Sequence, residues 1–184
     1  MTDQLQADLA AVVRRVQRAT VHVHDGRGRG SGVVWADGLV VTNAHVVQAD
    51  RPFVETATGR VRGRLLARDE RRDLAAIVVD LTGLDAEAAP VRASATLRCG
   101  ELLLAVGNPF GLSGAVASGV LQRADRRFVV ADVRLAPGNS GGPLTDATGR
   151  VVGINSMVAG RLALAIPSEA VRAFLARGVS RRAA

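Results

Sequence analysis

The chain has 184 residues, 48% of them hydrophobic, enough to bury a sizeable core in one structural unit or in two small barrels packed side by side. Its net charge of +7 comes from 24 basic residues, all Arg, against 17 acidic ones. The arginines are scattered as pairs (Arg14-Arg15, Arg71-Arg72, Arg126-Arg127, Arg181-Arg182), and with no Tyr and one Trp to stack on bases the composition argues for a solvated basic surface rather than a nucleic-acid binder.

The first element expected is a helix capped by Thr2, whose Leu5, Leu9, Val12 or Val13, and Val16 fall on one stripe that packs on the body. Charges at Asp3, Asp8, Arg14, Arg15 and Arg18 interrupt this stretch, which therefore reads as neither a secretory signal nor a membrane span; a cytoplasmic chain that does not bind membranes is expected, or an envelope protein if a leader precedes this sequence. From Val21 to about Leu84 the pattern turns to short strands, with Asp37-Gly38 between two apolar runs as a hairpin signal. His22 and His24 alternate with Val21 and Val23; two histidines without a third ligand are read as solvent-facing polar positions, so no metal is expected. A linker over 85–90 leads to a second half with strands at Leu102 to Val106, Ala115 to Leu121, Phe128 to Val133, Val151 to Ile154 and Leu162 to Ile166. Cys99 excludes an internal disulfide and is expected to be buried as a small residue. Ser168 then caps a short helix that Gly178 ends.

Three loop positions at the edges of apolar runs carry chemistry. Ser140 stands in Ala136-Pro137-Gly138-Asn139-Ser140-Gly141-Gly142-Pro143, a glycine-lined turn that leaves backbone N–H groups free. A serine hydroxyl is a poor nucleophile unless a base takes its proton, and an imidazole, which titrates near neutrality, suits that task. His45, in Thr42-Asn43-Ala44-His45-Val46-Val47, is the candidate base, and Asp73, opening Leu74 to Val79, the candidate carboxylate that fixes its tautomer. The amides of Gly138 and Ser140 can converge on a developing oxyanion, each such donor contributing roughly 3 kcal/mol. Glycine and serine also make ordinary turns, so the serine segment alone is ambiguous; the three segments together, ordered His, Asp, Ser, point to peptide-bond cleavage without a cofactor.

These segments resemble the protease domain of the HtrA (Deg) family of trypsin-like serine proteases. Gly30-Ser31-Gly32-Val33-Val34 and Val41 to Val47 resemble its histidine segment, Arg72-Asp73-Leu74-Ala75 its aspartate segment, Gly100 to Leu112 the lead-in to its second barrel, Gly138 to Leu144 its serine motif, and Ala165-Ile166-Pro167 its closing strand. The resemblance implies an all-β fold of two packed six-stranded antiparallel barrels, with an N-terminal helix over 1–19, a first barrel over 20–84, and a second barrel and C-terminal helix over 91–184. It implies His45, Asp73 and Ser140 as a catalytic triad and Gly138, Asn139 and Ser140 as the oxyanion loop. The pocket for the residue before the scissile bond would be lined by Arg134, Leu135, Leu162, Ala163 and Leu164. Leu and Ala there suggest small or medium aliphatic substrate residues. Arg134 would favour acidic ones if it entered the pocket, and would be neutral if it pointed outward or paired with Asp132.

In the resembled family the segment before the first barrel helps build trimers, so monomer and homotrimer both stand. Asn at 139, where zymogen-activated relatives have an aspartate, implies no proteolytic activation switch. Only six residues follow Gly178, so a peptide-binding PDZ domain is not expected within this stretch. Polypeptides are the expected partners, and the competing reading is a peptide-holding, chaperone-like module whose catalytic turn rests in a collapsed state.

Overall fold

A computed structural model describes residues 2–180. Helix α1 (Thr2–Arg18) leads into a first sheet of β1 (Thr20–His24), β2 (Arg29–Ala36), β3 (Leu39–Thr42), β4 (Phe53–Thr56), β5 (Gly59–Arg62), β6 (Arg64–Asp69) and β7 (Leu74–Val78). Its strands lie in the order β5-β4-β1-β2-β3-β7-β6, all antiparallel. Six closed strands were expected; seven are found, and the sheet curls instead of closing along its whole length. Two backbone bonds, from Gly63 N–H to the Pro52 carbonyl (2.9 Å) and from Leu65 N–H to the Asp50 carbonyl (2.8 Å), draw its far edges together at one end. The Asp37-Gly38 hairpin forms as expected, with Gly38 at φ +69, a conformation that glycine adopts without the steric cost of a Cβ.

The second half closes fully. Strands β8 (Leu102–Gly107), β9 (Ala115–Ala124), β10 (Val129–Ala131), β11 (Pro143–Asp146), β12 (Val151–Ala159) and β13 (Leu162–Pro167) form a barrel in the order β10-β13-β12-β11-β8-β9. Closure leaves no exposed sheet edge here. The sequence pattern did not reveal β11, which begins at the end of the serine motif and carries only one bulky apolar residue, Leu144. Strand β12 runs five residues past Ile154, and the extension supplies part of the site.

Three apolar clusters hold this arrangement. Val23, Val40, Val54 and Ile77 fill the curl of the first sheet, and Leu103, Leu121, Leu144 and Val152 fill the barrel. Between them, Val33, Val41 and Leu74 of the first sheet meet Val151, Ile154 and Ile166 of the barrel and Val171 and Phe174 of helix α2 (Ser168–Ser180). Helix α2 therefore seals the seam between the halves, touching β6 and β7 as well as β12 and β13, rather than closing the second barrel alone. It runs through Gly178, which does not end it. Ser168 is not its cap either: the hydroxyl donates to the Arg92 carbonyl at 2.7 Å and accepts from the Ser94 amide.

Two further expectations are corrected. Cys99 is exposed, because it sits on the turn before β8 where Gly100 takes φ +87, and not on a strand facing the core. The α1 stripe packs only at its C-terminal end: Val16 is buried, whereas Leu5 is 68% and Leu9 38% exposed. Among the described residues, no helix is long and apolar enough to cross a membrane.

Candidate active site

The seam brings together loops from both halves. His45 follows β3, and Asp73 immediately precedes β7, the neighbour of β3 in the sheet. The His45 Nδ1 lies 2.9 Å from both Asp73 carboxylate oxygens. A carboxylate only accepts, so Nδ1 carries a proton, and in the neutral ring Nε2 is left to present its lone pair. The His45 amide also donates to Asp73 Oδ1 at 3.1 Å, and the Asn43 carboxamide donates to the Asp73 carbonyl at 2.9 Å. Asp73 reaches this position from a left-handed backbone, φ +54, which Asp tolerates better than most side chains. Burial pushes its carboxyl up, but the bonds from the His45 ring, the Ser156 hydroxyl and the His45 amide outweigh this and hold it below the usual carboxylate range.

Ser140 arrives from the barrel. Its hydroxyl donates to the Ser156 carbonyl at 3.3 Å, and no hydrogen bond joins it to the His45 ring among the described residues. Ser156 links the two parts of the site, since its own hydroxyl donates to Asp73 Oδ2 at 2.7 Å. Sequence reasoning missed Ser156; its contact with Asp73 spans 83 residues and exists only because β12 continues past Ile154, so no local pattern marks it.

The turn before Ser140 has a defined shape. The Asn139 amide donates to the Ala136 carbonyl at 3.0 Å, with Pro137 and Gly138 between, and Gly138 stands at φ +104. Proline cannot take positive φ, so this is a type II turn, which needs a left-handed residue at its third position. A Cβ on Gly138 would come within 2.7 Å of the Asn108 carbonyl, so glycine is required on steric grounds as well. Asn139 has spent its N–H inside the turn. The N–H groups of Gly138 and Ser140 meet no acceptor among the described residues.

The proposed specificity residues fare unevenly. Leu135, Leu162 and Leu164 are half-buried, and Leu162 and Leu164 alternate on β13 with Ala163. Ala163 is 0% exposed inside the barrel, so its side chain cannot line an external pocket: successive strand residues face opposite sides. Arg134 is exposed and makes no ion pair with Asp132 among the described residues. His22 and His24 are half-buried rather than free in solvent. Their rings lie 5.3 Å apart and approach Glu55 at 3.9 and 3.6 Å, but among the described residues no three His, Cys, Asp or Glu are grouped to hold a metal ion.

Comparison with known proteins places the chain in a family. A family model described as a trypsin-like peptidase domain matches residues 30–154, from β2 to β12, a span that includes His45, Asp73 and Ser140. Serine protease HTRA1B of Danio rerio is 36% identical over 95% of this chain, and a probable periplasmic serine endoprotease, DegP-like, of Halomonas elongata is 37% identical over 74% of it. The chain spans 42% and 31% of the lengths of these two relatives. The solved serine endoprotease from Yersinia pestis superposes with a TM-score of 0.84 at 29% identity, covering 94% of this chain and 66% of that one. The chain belongs to the trypsin-like peptidase family, and its relatives there are serine proteases of the HtrA type.

Proposed function

We propose that this chain is a serine endopeptidase that cuts unfolded or flexible polypeptides through an acyl-enzyme on Ser140. One observation carries the proposal: an imidazole oriented by Asp73 is linked, through the Ser156 hydroxyl on Asp73 and the Ser156 carbonyl under Ser140, to a serine turn whose N–H groups on Gly138 and Ser140 meet no acceptor among the described residues. His45 Nε2 takes the Ser140 proton as Oγ attacks the substrate carbonyl, and the two free amides receive the oxyanion. The imidazolium, stabilised by Asp73, then protonates the leaving amine. Water completes the cycle by the same route in reverse, releasing the acyl group from Ser140. Half-buried Leu135, Leu162 and Leu164 suit small or medium aliphatic residues before the cut, and exposed Arg134 is available to acidic ones.

The chaperone-like alternative draws on a different observation, the Ser140 hydroxyl resting on the Ser156 carbonyl instead of on the imidazole. Catalytic hydrogen bonds often tighten only with substrate bound, so this resting contact is compatible with a peptidase as well. Incubation with a proteome-derived peptide library decides between them. New termini that vanish in Ser140→Ala, with aliphatic residues before the cut, support the peptidase; peptides retained intact support the holding module. The same library reveals whether Arg134 selects acidic residues. We place the protein in the cytoplasm and expect no nucleic-acid partner; the Halomonas elongata relative is named periplasmic, and cell fractionation is the direct check.

A further inference from the structure

We infer that Ser31, on β2 of the first sheet, is a positioning residue for the oxyanion turn of the second half. It is completely buried, so its hydroxyl must find its partners within the protein. The Asn108 N–H donates to Ser31 Oγ at 2.8 Å, so the hydroxyl must donate elsewhere, and it does so to the Gly138 carbonyl at 2.7 Å. That carbonyl belongs to the peptide unit between Gly138 and Asn139. The other end of the same unit, the Asn139 N–H, is bound to Ala136 O. The unit is thus clamped at both ends, and it is the link between the two donors proposed to receive the oxyanion, Gly138 N–H on one side and Ser140 N–H on the other.

The backbone of Ser31 adds to the clamp. Its N–H donates to the Ser140 carbonyl at 2.8 Å, while its own carbonyl accepts the Thr42 hydroxyl at 2.6 Å on the strand leading to His45. One residue of the first sheet therefore ties the nucleophile turn to the histidine strand. Removing the hydroxyl alone leaves these backbone bonds but releases the carbonyl end of the 138–139 unit, and it strands the part-buried Gly138 carbonyl and the buried Asn108 N–H. Rotation would carry the neighbouring Gly138 N–H off the oxyanion.

This role rests on the reading of Ser140 as a nucleophile, and steady-state kinetics separate the two. If wild-type protein leaves peptides uncut, that reading fails first. With wild-type turnover established, Ser31→Ala is expected to lower kcat by roughly 10- to 100-fold, less than outright loss of an oxyanion donor, with KM within about twofold of wild type. The affinity of a peptide boronate, whose adduct carries the tetrahedral oxygen, should fall by a similar factor, while binding of a product peptide stays level. Ser31→Cys keeps the side chain in place with a weak donor and should reproduce the kcat loss if the alanine variant does not fold. Val152→Ala, deep in the barrel core, is the control: it should lower thermal stability and leave kcat alone. A folded Ser31→Ala or Ser31→Cys with wild-type kcat, a loss confined to KM, or an equal kcat loss in Val152→Ala would overturn the assignment.

Discussion

Asp73 condenses the chemistry into one residue: it accepts from the His45 ring, the His45 amide and Ser156 while held at φ +54, a backbone state that costs on the order of 1–3 kcal/mol for a non-glycine residue. Because the three side chains act as a unit, His45→Ala and Ser140→Ala should each lower kcat by about 10⁶-fold and Asp73→Asn by about 10⁴-fold, measured on a cleaved library peptide. Ser156→Ala removes a donor to a charged acceptor and should cost roughly tenfold in kcat with folding preserved. Asp25 works one step further out. Burial raises its carboxyl, but amides of Gly28, Gln48, Arg27 and Ala49 bring it from 3.8 down to about 2 and tie the β1–β2 loop to the segment behind His45. Glu169 is likewise lowered to about 2, against its burial, by Ser94 and Ala95. Both folded-state values lie below the unfolded ones, so the unfolded chain takes up protons first as pH falls. This stability is full above about pH 5 and is lost towards pH 2. Thermal melts across that range should fall with decreasing pH, and Asp25→Asn should flatten the slope; an unchanged slope would contradict the role given to Asp25.

At the scale of elements, period predicts type better than it predicts partner. The helical stripe of α1 was legible, yet only its end at Val16 finds the body, because a stripe tells which residues share a face and not how far the neighbouring surface extends. Leu5→Ala should therefore shift stability by less than about 0.5 kcal/mol, whereas Leu144→Ala, from the barrel interior, should cost about 2–5 kcal/mol in denaturant unfolding. Exposed Leu5 and Leu9 also leave the trimer proposal open, and sedimentation of Leu5→Glu beside wild type tests it. On β13, strand alternation put Leu162 and Leu164 outward, and with them went Ala163, inward; the motif resemblance had ignored that period.

For the whole molecule, what sequence conveyed was the identity of groups at strand ends, and what it hid was contact across the seam. His45, Asp73 and Ser140 stood out because the chemistry needs those residue types and because each lies beside an apolar run. Ser31 and Ser156 did not, since one reaches 107 residues along the chain to Gly138 and the other 83 back to Asp73, distances over which no local period operates. The left-handed backbone at Asp73 and the open curl of the first sheet are likewise products of tertiary packing, which overrides local preference. The seam also explains why two sheets with separate interiors form one site: Val33, Val41 and Leu74 press on Val151, Ile154 and Ile166, and the polar ends of the same strands meet above them. The central claim, that His45 activates Ser140 at that seam, is tested most directly by mass spectrometry after exposure to a fluorophosphonate. One adduct is expected, on Ser140, and it should be lost in a folded His45→Ala variant; no adduct on folded wild-type protein, or undiminished labelling without the imidazole, would contradict the account.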